Sequence, residues 1–488
     1  MLDILLFWSI LIFLLANVGV GLLANDKINE SSVNYLVAGR RLSLPLAATT
    51  LMAQSADANA TLGNANLTSE FGFWAGASLP LGLALCLLIT GLFFAKPLNR
   101  MGLLTLPDFY RLRYNRTTEV AASVIMVLSF SFLLAGNLVA GGYIFQTFLK
   151  TSYAIGVVTI AIIVLVYTIG GGLLAVAYTD VVQVTIALLG ALSLFAFVFL
   201  NFGFTVPDGM GPLALEQLTD PAAGAFVNWA ALLALGLGDI VAIDFMARVF
   251  AAESPETSQK ACFIGALGTV VIGIPYTLVT LATPAILQPL NVQADGSTLF
   301  TLLESVAPAA ISLIVVMGIL AASFSTADGA VLGTASVIAH NIVGVSHIEE
   351  TGGGNRLLAA TRTMAFVVMM LAVFLALRVP QNGLLLLLAF DLGFAGLLVP
   401  LAGGLFWPKA TAAGALACIV AGSLTRLVLF VLTPTAFGID NNLLYLPNNF
   451  LGADFDGLPT LLSPLLGFVV FVTVSLLTHQ DERRVQPF

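Results

Sequence analysis

The chain has 488 residues, of which 59% are hydrophobic and only 9% are charged, with a mean hydropathy of +1.02. Soluble domains carry about 25% charged residues, so this composition excludes a soluble protein and indicates an integral membrane protein with little mass outside the bilayer. The net charge of −8 says little about partners. Because the sequence has neither a basic arm nor interleaved basic and aromatic residues, no nucleic-acid partner is expected.

Apolar segments of membrane-spanning length recur along the whole chain and predict an all-α integral membrane fold. The thirteen predicted spans lie near 3–24, 45–68, 71–95, 118–148, 152–175, 180–204, 226–250, 260–287, 305–342, 357–378, 382–406, 410–434 and 457–478. No basic region precedes the first span, and no convincing cleavage site follows it. The first span is therefore expected to be retained rather than removed as a signal peptide.

Basic residues are distributed unevenly between the two sides of these spans. If the N-terminus is outside, the outer loops receive only Lys150 and Arg378, and the other basic loop residues fall inside. This asymmetry follows the positive-inside rule. It predicts a multi-pass protein of the plasma or bacterial inner membrane, with the N-terminus outside and the C-terminus cytoplasmic. The outer connection 435–456 is either a short lid or a solvated loop.

The second predicted span, within the segment 47–72, changes character in its middle. Small residues there alternate with a run of polar ones: Gln54, Ser55, Asp57, Asn59, Thr61, Asn64 and Asn66. A carboxylate near the bilayer centre costs about 2.5–3.5 kcal/mol, so it should face a cavity, a partner or an ion. Alanine, glycine and asparagine also favour an unwound helix whose carbonyls and amides point at a ligand. We interpret this segment as half of a site for a solute and an ion.

The seventh predicted span, 226–250, is interrupted in the same way, at Gly236 to Asp239 and again at Asp244. Two broken, acid-bearing helices five spans apart are typical of an inverted-repeat transporter with its site at the midplane. The predicted units are an extra N-terminal helix and first inner loop, two five-helix repeats, and two additional C-terminal helices with a short tail. They cover residues 1–34, 35–204, 205–406 and 407–488, respectively.

A third informative segment is 318–342, GILAASFSTADGAVLGTASVIAHNI. On a helix, Ala322 lies one turn before Ser325 and Thr326, so its carbonyl and both hydroxyls can share one surface. Sodium takes five or six hard oxygen ligands, which unwound carbonyls and neighbouring hydroxyls supply with little net charge. Alternatively, these hydroxyls bond their own backbone and let helices pack closely. Spacing alone leaves both interpretations open.

Four motifs mark the chain further: YLVAGRRL (35–42), GLFFAKPL (91–98), YTIGGGLLAVAYTDVVQ (167–183) and ASFSTADGAVLGTASVIAHNI (322–342). With them, the chain from about Tyr35 to its C-terminus resembles the sodium:solute symporters, which include sodium-coupled sugar, proline, pantothenate and choline transporters. The second and third motifs are most similar to the choline-transporter branch. The resemblance implies a five-plus-five inverted-repeat core with broken first and sixth core helices, and sodium-coupled alternating access.

The resemblance also implies a sodium site between the first and eighth core helices. Its ligands would be the backbone carbonyls of Ser55, Ala58 and Ala322 and the hydroxyls of Ser325 and Thr326. Asp57 matches the acid of the broken first helix in the family. Asp180 matches the acid of the family's Thr-Asp pair and would lie on the sodium exit route. Sodium is the one cofactor expected.

The sequence departs from the choline transporters at the substrate. Choline recognition needs aromatic faces around a quaternary ammonium, but Ser55 and Ala242 align with the cage tryptophans of that branch. Polar candidates for the solute site are Asp57, Asn59, Asn64, Ser78, Asn137, Asp239, Asp244 and Asp391. They suit a small polar organic solute, an amino acid or a similar metabolite. Asp57 could instead cap the unwound backbone, and Asp328 could be structural.

The predicted function is therefore a sodium-coupled symporter in the lipid bilayer, and not an enzyme. No GxxxxGK[ST] motif occurs, so neither a nucleotide partner nor ATP-driven pumping is expected. Arg426 is expected to be the one arginine clearly inside the membrane, paired with an acid or snorkelling. Two alternatives remain: proton coupling through Asp57 or Asp239, and a sensor that binds a solute without moving it.

Overall fold

A computed structural model describes residues 2–28, 31–293, 297–345, 356–441 and 443–479. The first half of the chain forms helices α1 (Leu2–Ile28), α2 (Ser32–Val37), α3 (Leu44–Ser55), α4 (Asn64–Phe71), α5 (Phe73–Ile89), α6 (Ala95–Arg100), α7 (Pro107–Arg113), α8 (Arg116–Phe148) and α9 (Tyr153–Phe202). The described part is almost entirely helical, which confirms the predicted all-α class.

The second half continues in the same way, with one short hairpin. Its helices are α10 (Glu216–Thr219), α11 (Ala225–Leu233), α12 (Ile243–Ala251), α13 (Pro255–Leu287), α14 (Thr298–Ser305), α15 (Ala309–Val337), α16 (Arg356–Arg378), α17 (Asn382–Gly396), α18 (Leu398–Phe406), α19 (Ala412–Leu432) and α20 (Leu458–Thr478). Strands β1 (Thr435–Ala436) and β2 (Ile439–Asp440) pair antiparallel between α19 and α20.

Among the described residues, eight helices are long and apolar enough to cross a membrane, or up to ten if each sharply bent pair is one span. The multi-pass class is thereby confirmed, while the count of thirteen stays a prediction. Helix α9 joins two predicted spans, 152–175 and 180–204, across a kink at Gly172. The φ of Gly172 is 54°, which suits glycine, and a Cβ on this residue would lie 2.5 Å from the carbonyl oxygen of Tyr35.

The second predicted span is two helices rather than one. Helix α3 ends at Ser55, and a single π-helical turn over Asn59–Gly63 leads into α4. The Asp57 carboxylate accepts the amide of Ala60 at 3.0 Å, and the hydroxyl of Thr61 donates to the Asp57 carbonyl at 3.0 Å. These bonds satisfy backbone groups that the break releases, as a buried helix end requires.

The predicted interruption of the seventh span is also present. After α11 come a π-helical turn, Ala234–Gly238, and a 3₁₀ turn, Asp239–Val241, and the chain bends by 49° before α12. Gly236 and Gly238 allow this break to pack closely on its neighbours. A Cβ on Gly238 would lie 2.3 Å from the carbonyl oxygen of Phe390 in α17.

Polar contacts hold the first broken helix against α13 along its length. The hydroxyls of Ser55 and Thr269 are hydrogen bonded to each other. Beyond the break, Asn64 donates to the carbonyl of Gly273 at 2.8 Å and accepts the hydroxyl of Thr277 at 2.8 Å. Since both halves of the break are bonded to the same straight helix, α3, α4 and α13 form one packed unit.

Ion pairs mark both ends of the helices. At one end Lys96 lies 4.0 Å from Glu256, and Arg116 lies 2.8 Å from Glu119; both basic residues are predicted to lie inside. The opposite end, which the predicted topology places outside and which we call the outer end, carries the Lys150–Glu304 pair at 3.0 Å. Which end faces the cytoplasm stays a prediction.

A buried ion pair ties the C-terminal helices to α17. The Asp391 carboxylate in α17 accepts hydrogen bonds from Arg426 in α19 and, at 3.2 Å, from Thr460 in α20. Both charged side chains are almost fully buried. The arginine pairs with an acid rather than snorkelling, which was one of the two roles predicted for it.

Removing one partner of this pair should destabilise the protein much more than removing both. Arg426→Leu leaves the Asp391 charge buried and uncompensated, so we expect a loss of about 3–5 kcal/mol. The double variant Asp391→Leu with Arg426→Leu should recover most of that loss, because no unpaired charge remains. Thermal unfolding of the purified protein in detergent measures both. A single variant as stable as the unmodified chain would contradict a stabilising pair.

Candidate functional site

The hydroxyls of α15 meet the last turn of α3, at the point where the first broken helix ends. Ser325 donates a hydrogen bond to the carbonyl of Ala53 at 2.9 Å, and its oxygen also lies 2.9 Å from the Ala322 carbonyl. The hydroxyl of Thr326 lies 3.4 Å from the Gln54 carbonyl and 3.3 Å from that of Ala322. All these side chains are buried.

This arrangement collects oxygen atoms without collecting charge. The last four carbonyls of a helix have no intrahelical donor, and the helix dipole makes this end negative. Because α3 stops at Ser55, its free carbonyls face two hydroxyls and the Ala322 carbonyl of an intact helix. Several neutral hard oxygens at one point suit a monovalent cation such as sodium.

The carbonyls in contact lie earlier in α3 than the sequence predicted. Ser55 belongs to the same last turn, but its hydroxyl contacts Thr269 of α13. The carbonyl of Ala58 lies beyond the end of the helix and accepts the amide of Gly63 at 2.8 Å. The break begins after Ser55, so the helical turn that faces α15 contains Ala53 and Gln54 in addition to Ser55. Composition alone did not indicate this register.

A buried charge cluster lies beside this oxygen-rich point and joins four helices. Arg248 of α12 donates to the Thr50 hydroxyl of α3 at 2.9 Å and lies 3.5 Å from the Asp180 carboxylate of α9. Its guanidinium is also 4.0 Å from the Asp328 carboxylate of α15 and 3.1 Å from the carbonyl of Asp244. Thr50 in turn donates to Asp180. Two carboxylates and one backbone carbonyl therefore share one guanidinium.

Two further side chains complete the cluster. The Tyr167 hydroxyl donates to the Asp328 carboxylate at 2.7 Å, and the Gln54 amide donates to the Asp244 carboxylate. Gln54 thus contacts the hydroxyl of Thr326 through its backbone and the charge cluster through its side chain. One oxygen each of Asp180 and Asp328 is buried and accepts no hydrogen bond from the described chain. The cluster thus has more carboxyl groups than guanidinium groups close to α15.

The prediction that Arg426 is the one arginine clearly inside the helices was wrong. Arg248 is fully buried, whereas the positive-inside distribution predicts that it lies in an inner loop. The spacing of Asp244 and Arg248, four residues apart, is the signal that could have identified it, since such residues are neighbours on one helix face. Thr50 and Tyr167 carry no comparable signal, because their roles depend on partners distant in sequence.

Asp57 and Asp239 occupy the two breaks. Asp57 is buried and caps the unwound backbone at Ala60, as its structural alternative predicted. Asp239 is 1% exposed, and one of its carboxylate oxygens accepts no hydrogen bond from the described chain. It lies within electrostatic reach of both Asp57 and Asp244. The breaks therefore bring at least three buried acids together.

The remaining predicted solute contacts are divided among different surroundings. The Asn64 amide donates a hydrogen bond to a carbonyl of α13, and Ser78 donates to the Ala75 carbonyl of its own helix at 2.9 Å. Asn137 donates to the Leu133 carbonyl of α8 at 3.0 Å and keeps one buried oxygen with no partner in the described chain. Asp391 is held by Arg426. The side chain of Asn59 lies outside the described residues.

A cavity of about 480 Å³ opens at the outer end, between α4, α8, α14 and the start of α17, and we call it the outer vestibule. Hydroxyl, amide and carboxylate groups line it, among them Asn66, Ser69, Glu70, Thr147 and Gln381. Its volume is within the range of small-molecule sites. Because α4 forms one wall, the vestibule adjoins the first break.

Comparison with known proteins gives this geometry a context. A sequence model of the sodium:solute symporter family matches residues 35–422. The chain is 28% identical to the high-affinity choline transporter of Torpedo marmorata over 366 residues, which cover 70% of this chain and 62% of that transporter. It thus spans a little under two thirds of the Torpedo protein.

Two further relatives are matched over longer stretches. The high affinity choline transporter of Homo sapiens is 26% identical over 450 residues, covering 86% of this chain and 76% of that protein. The sodium/proline symporter of Haemophilus influenzae is 26% identical over 435 residues, covering 83% and 84%, respectively. The matched proteins therefore include transporters of different solutes.

Solved structures share the fold. A Na⁺-coupled sialic acid symporter in a substrate-bound outward-open state has a TM-score of 0.78 at 15% identity, covering 100% of this chain and 99% of that one. A nucleobase-cation-symport-1 transporter has a TM-score of 0.54 at 13% identity, with 91% and 92% covered. The family match extends over most of the chain, and the fold is that of sodium symporters. The chain belongs to the sodium:solute symporter family.

Proposed function

We propose that this protein imports a small polar organic solute across a cell membrane together with sodium, by alternating access. The observation that carries the proposal is the contact of the Ser325 and Thr326 hydroxyls with the last turn of α3. A cation there would join the broken helix to the intact one. In the proposed orientation the N-terminus is outside and the C-terminus cytoplasmic.

The proposed sodium ligands are the Ala322 carbonyl, the hydroxyls of Ser325 and Thr326, and carbonyls of the last turn of α3, with those of Ala53 and Ser55 among them. The Ala58 carbonyl stays in the proposed set, because the amide it accepts leaves a second lone pair for a cation. Without the cation, hydroxyl hydrogens occupy this point. With it, the hydroxyl oxygens turn to the ion and the two helices are held together, which orders the outer half of the break.

Asp180 has a proposed role in sodium release. Its carboxylate belongs to the cluster around Arg248, next to the turn that holds the proposed ligands. When Asp180 and Asp328 are both ionised, Arg248 balances only one of them, and the remaining charge would favour a cation moving past Thr50 on its way inward. Because Arg248 neutralises part of that charge, the cation would not be trapped there.

The driving force is sufficient without hydrolysis. One charge moved inward across about 100 mV yields about 2.3 kcal/mol. A tenfold sodium gradient adds about 1.4 kcal/mol. The total of about 3.7 kcal/mol would concentrate a neutral solute roughly 500-fold per sodium ion.

The proposed solute is an amino acid or a similar polar metabolite. Asp239, with its unpartnered oxygen, and Asp57 would face it from the two breaks. The named relatives transport choline or proline, but the aromatic cage that a quaternary ammonium needs is absent at Ser55 and Ala242. Ser55 instead bonds Thr269, and Ala242 is buried at the bend before α12. These contacts support a solute that forms hydrogen bonds.

Removing the two hydroxyls should weaken sodium binding. For Ser325→Ala with Thr326→Ala we expect the sodium concentration that gives half-maximal thermal stabilisation to rise at least about tenfold, since two of five or six ligands are lost. Ser336→Ala is the matched control, because that hydroxyl bonds the Leu332 carbonyl of the same helix. If the double variant needs the same sodium concentration for half-maximal stabilisation as the unmodified protein, this site is rejected.

Neutralising Asp239 should separate solute binding from sodium binding. A thermal-shift screen of amino acids and related metabolites, with and without sodium, identifies the solute first. Asp239→Asn is then expected to lose most of the solute-dependent stabilisation while keeping the sodium-dependent part. Asp440→Asn, an exposed acid of the hairpin, is the control. Full solute stabilisation in Asp239→Asn would remove that residue from the site.

Uptake into proteoliposomes distinguishes the proposed coupling from its alternatives. A sodium gradient alone is expected to drive accumulation of the identified solute, and a proton gradient alone is not. Accumulation driven only by protons would replace sodium coupling with proton coupling through the buried acids. Solute binding without accumulation under either gradient would make the protein a sensor.

A further inference from the structure

A second cavity, of about 450 Å³, lies at the outer end beside the breaks. We call it the side cavity. Its walls are Leu67 and Phe71 of α4, Phe226 of α11, Phe437 of the hairpin, and the loop segments 221–224 and 453–456. Its volume is that of a small-molecule site, yet no step of the proposed transport cycle uses it.

The side cavity is separate from the outer vestibule. The vestibule is lined from α8, α14 and α17, whereas the side cavity is lined from α5, α11 and the loop before α20. Helix α4 lies between the two, and Leu67 lines both. A molecule in the side cavity would therefore contact the broken helix from the side away from the proposed solute path.

The lining has a definite chemistry. The rings of Phe71 and Phe226 share the cavity with the carboxylates of Asp454 and Asp456, whereas Phe437 is only 2% exposed, and no lining residue is basic. Aromatic faces attract cations through the ring quadrupole, and nearby carboxylates add to that attraction. The proposed transport site differs from this lining, because it offers acids and amides without aromatic faces.

The hairpin wall of the side cavity is held in place. The Asp456 carboxylate accepts the amides of Phe437 and Gly438 at 2.9 and 2.8 Å. Both residues have left-handed backbones, with φ of 55° and 78°, a conformation that is unusual for phenylalanine. Because the carboxylate satisfies both amides of this turn, this wall of the cavity has its shape before any ligand arrives. Asp454 is exposed and available to a ligand.

We propose that the side cavity binds an amphiphilic organic ammonium ion, with its apolar body against the rings of Phe71 and Phe226 and its charge at Asp454 and Asp456. Helices α4 and α11 are the outer halves of the two broken helices. The start of α20 packs on α11, where a Cβ on Gly457 would lie 2.4 Å from the Phe226 carbonyl oxygen. A bound ammonium therefore links both outer halves to the C-terminal helices and regulates their movement.

Phenethylammonium, phenethyltrimethylammonium and the neutral 3-phenylpropan-1-ol are the probes. Binding to the purified full-length protein is followed by tryptophan fluorescence, since Trp229 adjoins the lining residue Asn228. Both cations are expected to bind, and the neutral alcohol at least about tenfold more weakly. Asp454→Asn and Phe226→Ala should each weaken phenethylammonium binding about five- to tenfold. Asp208→Asn, an exposed acid of another outer loop, should not.

Regulation is tested by reciprocity. If the side cavity and the sodium site are coupled, sodium changes the affinity for phenethylammonium by the same factor by which phenethylammonium changes the affinity for sodium. We expect a change of at least about threefold, abolished by Asp454→Asn and unaffected by Asp208→Asn. Equal binding of the alcohol and the cations would overturn the proposal. So would binding that persists in both cavity variants, or that Asp239→Asn removes, because the probe would then lie in the transport path.

Discussion

The end of α3 against α15 is the contact on which the rest of the structure depends. A helix that stops inside a protein leaves carbonyls without partners, and burying them costs free energy unless donors or a cation reach them. Here Ser325 and Thr326 face the Ala53 and Gln54 carbonyls from a helix some 270 positions later in the chain. The same carbonyls that make the break costly are the ones that we propose as sodium ligands.

The elements around this contact divide into those that would move with the break and those that would not. Helices α3 and α4 are bonded to α13 through Thr269 and Thr277, so the two halves of the break share one support. Helices α9 and α15 carry Asp180 and Asp328, which lie beside the guanidinium of Arg248. Asp180 also accepts the hydroxyl of Thr50 in α3. The proposed cation at the end of α3 and the charge cluster beside it therefore both lie where the broken helix meets α9 and α15. Binding at one is therefore expected to alter the field at the other.

The proposed binding sites of this chain contain few charged side chains. Buried acids outnumber the arginines placed among them, and burial without a positive partner disfavours the charged form of an acid. Sodium, the ammonium of an amino acid and an amphiphilic ammonium in the side cavity are the three positive partners that we propose. They differ in the rest of the lining: neutral oxygens for sodium, acids with amides for the solute, and phenylalanine rings for the side cavity. The class of ligand that we propose for each site therefore follows from the residues that surround its acids.

The sequence by itself determined the membrane class, both breaks and the family. Each of these depends on local composition or on a motif, as with Asp57 among small residues and Gly236 to Asp239 in the seventh span. Only the tertiary structure decided which carbonyls face Ser325, because the register of a broken helix depends on where its last hydrogen bond forms. It also placed Arg248 inside the charge cluster and Asp391 away from it. Those positions are set by packing between helices distant in sequence, which no local pattern records.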